Sequence, residues 1–187
     1  LSELSACAWM PPLDLTAAAG LIDEFRGEAP TLAILKHTNP CGIGQAATLR
    51  EAWEKALATD RQAPFGGIIA INQPLDLACA EAISEIFSEV IVAPDFEPAA
   101  LEWMRQKKNL RLVRRRQPSK AARPIDVRSV GADSFLVQES DRRPVRREDL
   151  RIVTRRSPDA DEWEAMLFGW RIVKHVKSNA IVYAGPQ

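Results

Sequence analysis

The chain has 187 residues, of which 46% are hydrophobic and 27% are charged, and its formal net charge is zero. This composition is typical of a chain that buries a core, and it disfavours intrinsic disorder. No uninterrupted apolar stretch reaches about 18 residues, so the sequence predicts no membrane span.

The N-terminus and the cysteines suggest a cytoplasmic location. The first residues have neither the basic region nor the long apolar core of a signal peptide, and the missing initiator methionine suggests a chain cut from a longer one. Cys7, Cys41 and Cys79 are odd in number and far apart, and they form no CxxC pair. We therefore expect a reducing compartment, with neither a disulfide framework nor a zinc site.

The zero net charge conceals an asymmetry between the two halves of the chain. Residues 1–100 carry 14 acidic and 5 basic side chains, whereas residues 101–187 carry 11 acidic and 20 basic ones. A solvated face is the simplest interpretation of the densest basic run, ahead of attraction for phosphate or glutamate-bearing ligands. Nucleic acid comes last, because the run lacks the aromatic residues on which bases stack. The run comprises Arg105, Lys107, Lys108, Arg111, Arg114, Arg115, Arg116, Lys120 and Arg123.

Helices and strands alternate along the first 113 residues. Apolar spacing and capping residues predict four helices: Asp14 or Thr16 to Arg26, Thr48 to Thr59, Asp76 to Phe87, and Pro98 to Gln106. Four apolar runs predict buried strands: Thr31–Leu35, Gly66–Ile71, Val90–Ala93 and Leu110–Val113.

The remainder is less regular. It predicts an exposed connection over Arg114–Arg123, short strands at Ile125–Val130 and Ser134–Gln138, a loop over Asp141–Arg147, a helix over Glu162–Val176 and a strand over Ala180–Ala184. Strands that alternate with helices of this length favour an α/β fold around a sheet that is at least partly parallel.

Lys36 and His37 end the first predicted strand. We expect a turn rich in Asn, Pro and Gly to follow them, and then a helix. A fixed positive charge beside a base that titrates near neutrality suits proton-transfer chemistry. The alternative is an ordinary solvated strand end.

Six motifs follow one another along the chain: Lys36–Gly42 (KHTNPCG), Phe65–Ala70 (FGGIIA), Glu89–Pro94 (EVIVAP), Lys107–Arg111 (KKNLR), Asp126–Val130 (DVRSV) and Lys174–Val182 (KHVKSNAIV). Together they resemble the formyltransferase portion of the bifunctional purine biosynthesis family. That portion transfers a formyl group from 10-formyltetrahydrofolate to aminoimidazole carboxamide ribonucleotide (AICAR) in the synthesis of IMP. The resemblance extends from about Leu13 to Tyr183.

The resemblance implies a three-layer α/β/α deaminase-like unit around a mixed sheet, followed by the start of a second such unit. Residues 1–140 would be the first transformylase subdomain, and residues 141–187 the connecting helix and first strand of a truncated second one. The cyclohydrolase domain is expected to be absent. The family also implies a cytoplasmic homodimer with a shared active site, with AICAR and folate as small-molecule substrates and with no metal, nucleic acid or membrane partner.

The resemblance also implies roles for individual residues. His37 matches the base that takes a proton from the 5-amino group of AICAR, and Lys36 matches the cation that stabilises charge on the formyl oxygen. Asn179 matches an asparagine that binds the substrate from the neighbouring subunit. Three further residues match family positions that line or contact the ribonucleotide site: Phe65, Gly66 and Glu89.

Each of these positions also has a structural interpretation. Phe65 is compatible with a core residue, Gly66 with a simple strand start, and Glu89 with a solvated carboxylate. Asn179 is compatible with a helix terminator, because asparagine tolerates the left-handed conformation. A Cys41–His37 nucleophile is disfavoured, since the family reaction needs no covalent intermediate.

Two departures from the family pattern affect loops. Ala63 and Pro64 replace a serine and a small residue before the Phe-Gly-Gly segment. Gly131-Ala132-Asp133 replaces a double glycine, so we expect Ala132 or Asp133 to adopt any positive φ at that turn. Two hypotheses follow: a formyltransferase unit, or a non-catalytic fragment or subunit that keeps the fold, with or without nucleotide binding.

Overall fold

The computed structural model of the protein describes residues 12–116 and 125–185. None of the helices within these ranges is long and apolar enough to cross a lipid bilayer. A 3-10 turn spans Arg147–Asp149. The helices and strands, in chain order, are α1 (Pro12–Asp23), β1 (Thr31–Lys36), β2 (Asn39–Gln45), α2 (Leu49–Thr59), β3 (Gly67–Ile71), α3 (Leu77–Ile83), β4 (Ser88–Ala93), α4 (Pro98–Arg105), β5 (Arg111–Arg114), β6 (Ile125–Val130), β7 (Ser134–Glu139) and α5 (Ala160–Val173).

Five strands form one mixed sheet in the order β2-β1-β3-β4-β5. β1 runs antiparallel to both of its neighbours, whereas β3, β4 and β5 run parallel to one another. The C-terminal end of β1 therefore lies at the same edge of the sheet as the N-terminal ends of β3 and β4. Leu35 pairs with Ile68, and Gly67 with Ser88, close to this edge.

Alternating side chains along the strands divide the core into two layers. One layer lies between the sheet and α2, α3 and α4, and its sheet residues include Leu32, Ile34, Ile69, Ile71 and Ile91. The opposite layer lies between the sheet and α1 and α5, and its sheet residues include Ala33, Leu35, Ile68, Ala70 and Val90. The predicted three-layer α/β/α arrangement around a mixed sheet is confirmed.

The helix starts follow the predicted capping signals. Thr48 and Glu51 form the capping box of α2, with the Thr48 hydroxyl accepting from the Glu51 amide over 3.2 Å and the Glu51 carboxylate accepting from the Thr48 amide over 3.1 Å. Asp76 caps α3. This helix ends at Ile83, not at Phe87 as predicted, because the amides of Glu85 and Ile86 bond three residues back, to Ala82 and Ile83, and the four-residue ladder of the α-helix stops there.

Residues 39–45 form strand β2, where the sequence predicted a turn. β2 pairs antiparallel with β1 through a two-residue turn at His37 and Thr38. The Lys36-His37 pair therefore leads into a hairpin, and the expected direct passage to a helix is wrong.

Two glycines allow α2 to pack closely on β2. A Cβ atom on Gly42 would overlap the carbonyl oxygen of Ala56, and one on Gly44 would lie 2.8 Å from the Cβ atom of Lys55. The glycines that suggested a turn thus serve the approach of a helix to a strand.

Strands β6 and β7 form a separate two-stranded hairpin whose residues are all exposed. Both strands were predicted. The turn between them takes its positive φ, 71°, at Gly131. The expectation of a positive φ at Ala132 or Asp133 is therefore wrong, because the remaining glycine occupies the position that needs the left-handed conformation.

Helix α5 packs against the first part of the chain. It begins at Ala160, two residues before the predicted start, because Asp159 caps it by accepting from the Glu162 amide over 2.9 Å. The rings of Phe168 and Phe25 are tilted, with centroids 5.3 Å apart. The predicted connecting helix therefore shares a core layer with residues 1–140.

Residues 180–184 are not a strand, contrary to the prediction. A strand needs a neighbour for its main-chain groups, and no strand in the described ranges pairs with this segment. The segment instead lies along α5, where the Cβ atom of Ala184 stands 3.2 Å from the position that a Cβ on Gly169 would take.

Part of the basic run is paired with acidic side chains. Arg114 lies 3.5 Å from Asp95, and Arg115 forms an ion pair with Asp23. Lys120 and Arg123, and likewise Cys7, lie outside the described residues.

Candidate functional site

Hydrogen bonds join the end of β1 to the starts of β3 and β4. The ammonium of Lys36 donates to the main-chain oxygen of Phe65 over 2.8 Å. The amide of Gly66 donates to the carbonyl of Phe87 over 2.8 Å. Two of the residues that the resemblance implicated are thus in direct contact, although they are 29 positions apart in the chain.

His37 is exposed at the tip of the β1–β2 hairpin. Its φ is 54°, and that of Thr38 is 67°. Two-residue hairpin turns with positive φ at both positions favour Asn-Gly, and a side chain in this conformation costs roughly 1–2 kcal/mol. The Thr38 hydroxyl oxygen is buried and, within the described part of the chain, makes no hydrogen bond. Strain of this kind is concentrated at functional sites.

Gly66 and Gly67 are each required for a different reason. Gly66 has a φ of 72°, which a residue with a side chain adopts only at a cost. A Cβ on Gly67 would stand 2.9 Å from the carbonyl oxygens of Leu35 and Pro64. The backbone conformation requires glycine at the first position, and close packing requires it at the second.

Glu89 directs its carboxylate toward Gly66. A Cβ placed on Gly66 would be 3.7 Å from the Glu89 Oε1 atom. Glu89 is the second residue of β4, and its side chain is exposed. This places an anionic acceptor beside the glycine that the resemblance implicated.

Phe65 is not a core residue, because 63% of it is exposed. Its ring is tilted by 48° against that of Phe87, with centroids 5.4 Å apart. The two rings form an exposed aromatic surface beside Gly66. The sequence interpretation missed Phe87, which adjoins the Glu89–Pro94 motif and was assigned to a helix.

The loop before Phe65 is organised by Asp60. Its carboxylate accepts hydrogen bonds from the amides of Gln62 (2.8 Å) and Ala63 (3.0 Å), and these bonds lower the pKa of Asp60. Pro64 is buried, and its carbonyl accepts from the Gly67 amide over 2.9 Å. The Ala63-Pro64 departure therefore lies in a loop held by main-chain bonds.

The segment after α5 reaches the same hairpin. The Lys177 amide donates to the Asn39 side-chain oxygen over 3.2 Å, and the Lys177 ammonium donates to the His37 carbonyl over 3.4 Å. Asn179 is exposed two residues further on. Asn39 and Lys177 were not singled out, although both lie within the quoted motifs.

Cys41 is the extra residue of a bulge in β2, between Pro40 and Gly42, which pair with consecutive residues of β1. Burial raises the pKa of the Cys41 thiol, and the charge of Asp60 raises it further, whereas Lys36 partly offsets both effects. A thiol with a raised pKa is a poor nucleophile. This is consistent with the expectation that Cys41 is not catalytic.

His175 has a structural environment. Its Nε2 atom lies 3.2 Å from the Glu24 carboxylate, which also lies 2.7 Å from the Lys174 ammonium. These contacts join the end of α5 to the end of α1. Within the described ranges, no group of three or more His, Cys, Asp or Glu side chains is arranged to hold a metal ion.

The sheet edge thus presents a cation at Lys36, an exposed imidazole at His37, a carboxylate at Glu89 and an aromatic surface at Phe65 and Phe87. Such a set can bind a polar heterocycle, remove a proton from it and stabilise negative charge nearby.

Two solved structures show weak similarity to this chain. RibD of Acinetobacter baumannii is 15% identical to this chain with a TM-score of 0.38, and the match covers 54% of this chain and 33% of the RibD chain. The dCMP deaminase from cyanophage S-TIM5 is 9% identical with a TM-score of 0.42, and it covers 56% of this chain and all of its own.

Comparison of sequences is far more specific. The bifunctional purine biosynthesis protein PurH of Chloroflexus aurantiacus is 57% identical over 173 residues, which are 92% of this chain and 34% of that protein. PurH of Chlorobium chlorochromatii is 50% identical over 91% of this chain and 32% of its own length. The chain therefore spans about a third of the length of these relatives. The model of the AICARFT/IMPCHase bienzyme family matches residues 6–187, and the chain belongs to that family.

Proposed function

We propose that the chain supplies part of the active site that transfers a formyl group from 10-formyltetrahydrofolate to the 5-amino group of AICAR in purine biosynthesis. The observation that carries this proposal is the contact of Lys36 with Phe65, which brings two implicated motifs together beside His37. In this proposal the reaction takes place in the cytoplasm and needs no metal.

His37 acts as the general base. The 5-amino group of AICAR is a weak nucleophile, because its lone pair is delocalised into the imidazole carboxamide. Removal of a proton as the amine attacks the formyl carbon compensates for this weakness. The new carbon–nitrogen bond forms as the bond to N10 of the folate breaks, and the proton passes in net from the amine to N10.

Lys36 stabilises the transition state. Negative charge develops on the formyl oxygen as the carbonyl carbon becomes tetrahedral, and a fixed ammonium interacts more strongly with this charge than with the neutral ground state. The bond to the Phe65 carbonyl fixes the ammonium and leaves two of its three protons for other acceptors.

The remaining residues bind the ribonucleotide. The aromatic surface of Phe65 and Phe87 provides a flat apolar face for the imidazole ring. Glu89 accepts hydrogen bonds from amino or hydroxyl donors of the ligand. Gly66 keeps the space between these groups open. Asn179 binds the substrate, and in a homodimer with a shared site it does so from the neighbouring subunit.

A second candidate is a non-catalytic fragment or subunit that keeps the fold and nucleotide affinity. The observation that favours it is the coverage of about a third of each relative, since the other two thirds include sequence with no counterpart here. In that case the folate side of the site comes from another chain or segment.

Calorimetric titration with AICAR, followed by a turnover assay with 10-formyltetrahydrofolate, separates the two candidates. Binding and turnover, with turnover lowered in Lys36→Met and abolished in His37→Ala, support the formyltransferase. Binding without turnover, with activity appearing when the remaining portion of a relative is added, supports the second candidate. Absence of AICAR binding would overturn both. Glu54→Gln, which changes an exposed carboxylate paired with Arg50 on α2, is the control, and it should leave AICAR affinity unchanged.

A further inference from the structure

We infer that Asn39 and Lys177 are positioning residues that hold the His37 turn in its left-handed conformation. The role of His37 as a base rests on the proposed function, but the positioning itself does not. Both residues contact the main chain of the turn, and neither is assigned a role by the resemblance.

Asn39 bridges the two segments through both ends of its side-chain amide. Its nitrogen donates to the His37 carbonyl over 3.3 Å, and its oxygen accepts from the Lys177 main-chain amide over 3.2 Å. Neither aspartate nor alanine can replace both bonds, because aspartate lacks the donor and alanine lacks both groups.

Lys177 completes the arrangement with its ammonium, which lies 3.4 Å from the same His37 carbonyl. That carbonyl therefore accepts from two donors, one from each side of the bridge. We name the three hydrogen bonds among His37, Asn39 and Lys177 the turn bridge. It joins parts of the chain that are 138 to 140 positions apart.

The turn bridge offsets a strained local conformation. His37 and Thr38 both have positive φ without being glycine, so the isolated sequence would favour other turn geometries. Hydrogen bonds to the His37 carbonyl favour one orientation of its peptide unit. Because the His37 side chain leaves the same residue, its direction follows from that orientation.

A rigid element sets the position of Lys177. The Glu24 carboxylate binds both Lys174 and His175, which fixes the end of α5 against α1 two residues before Lys177. The bridge therefore transmits the position of α5 to the candidate base.

Nuclear magnetic resonance of the histidine rings tests this inference directly, since the chain has only two histidines. The protein is labelled with isotopically enriched histidine, and ring signals are compared at one pH without any ligand. We expect Asn39→Ala and Lys177→Ala to shift the His37 ring signal by more than a linewidth and to leave His175 unchanged. Lys177→Arg should restore the wild-type position.

The control is Lys108→Ala, which removes an exposed lysine from the loop between α4 and β5 and should move neither ring. Asn39→Asp, which keeps the acceptor for Lys177, should shift only the His37 signal. A shift of neither ring, or of both rings together in all the bridge variants, overturns the inference. Because no substrate is present, this result is independent of AICAR binding, which tests the proposed function by itself.

Discussion

The ammonium of Lys36 donates a 2.8 Å hydrogen bond to the main-chain oxygen of Phe65. This bond fixes a positive charge between the end of β1 and the loop before β3. Lys36 is the last residue of a buried strand, and this bond explains why it is half-buried. At the edge of the sheet it is still accessible to a ligand.

Replacing Lys36 with methionine separates charge from packing. Methionine keeps much of the side-chain length but cannot stabilise an oxyanion, so we expect turnover, measured in the assay complemented with the remaining portion of a relative, to fall by about two orders of magnitude or more. The free energy of unfolding should change by only about 1 kcal/mol, because one hydrogen bond is lost. Activity within a few-fold of wild type would remove Lys36 from the mechanism.

The Glu24 cluster makes the stability of the fold dependent on pH. Burial alone would raise the pKa of Glu24, but hydrogen bonds from His175 and Lys174 and the charges of both outweigh it, so the pKa lies below its ordinary value of 4.5. A carboxylate with a lowered pKa stabilises the fold above its unfolded-state pKa, and this contribution is lost as the pH falls through the folded-state value.

Urea denaturation at several pH values checks this effect. We expect Glu24→Gln to cost about 1.5–3 kcal/mol at neutral pH, which is the usual range for a hydrogen bond to a charged group. The difference from wild type should shrink below about pH 4. Glu54→Gln removes an exposed pair with Arg50 and should cost less than about 0.5 kcal/mol. Parallel pH curves for wild type and Glu24→Gln would contradict the assignment.

Signals within a few residues explain what the sequence predicted correctly. The caps at Thr48 and Asp76 act on amides three positions away, so the local pattern contains them completely. The sequence predicts β1, β3 and β4 correctly because these strands lie inside the sheet, are covered on both faces and read as continuous apolar runs.

Features that depend on distant partners could not be predicted in this way. Strand β2 contains two glycines and a proline, and only its pairing with β1 and the approach of α2 make it a strand. Phe87 was placed in a helix because its contact with Phe65 is not visible locally. Lys177 lies 140 positions from His37, so its contact with that turn required the fold. The resemblance supplied His37, Lys36 and Asn179 as candidates, and their roles stay predictions.

Two glycine-to-alanine changes should have opposite effects on stability. In Gly44→Ala the new Cβ would lie 2.8 Å from the Cβ of Lys55 and overlap the Ala52 carbonyl oxygen, so α2 must shift, at a cost of about 1–3 kcal/mol. Gly20 lies within α1, and in Gly20→Ala the new Cβ would lie 3.8 Å from the His175 ring, which is ordinary van der Waals contact. Since alanine is the better helix former, we expect a gain of about 0.5–1 kcal/mol. Chemical denaturation gives both values, and equal effects would contradict the close packing of α2 on β2.

Cys79 should react with alkylating agents only when the fold opens. Burial, together with the charge of Asp76, raises the pKa of its thiol to about 12, and the thiol donates to the Leu49 carbonyl over 3.5 Å. Between about pH 9 and that value the unfolded thiol ionises while the folded one stays protonated, so stability falls as pH rises. Peptide mass analysis after iodoacetamide treatment should find the half-buried Cys41 modified before Cys79. Modification of Cys79 in folded protein at neutral pH would contradict its burial.

The β6–β7 hairpin should contribute little to the stability of the sheet. Phe135 is 67% exposed on this hairpin, whereas Phe25 is fully buried in the core layer that α1 and α5 form against the sheet. Phe25→Ala removes a large core side chain and should cost about 3–5 kcal/mol, while Phe135→Ala should change the free energy of unfolding by less than about 0.5 kcal/mol. Urea denaturation of the two variants provides the comparison. A large loss of stability in Phe135→Ala would show that the exposed apolar face of the hairpin is covered in solution. Repeating the measurement across a range of protein concentrations would then show whether a second copy of the chain covers it. Self-association makes the apparent stability depend on concentration.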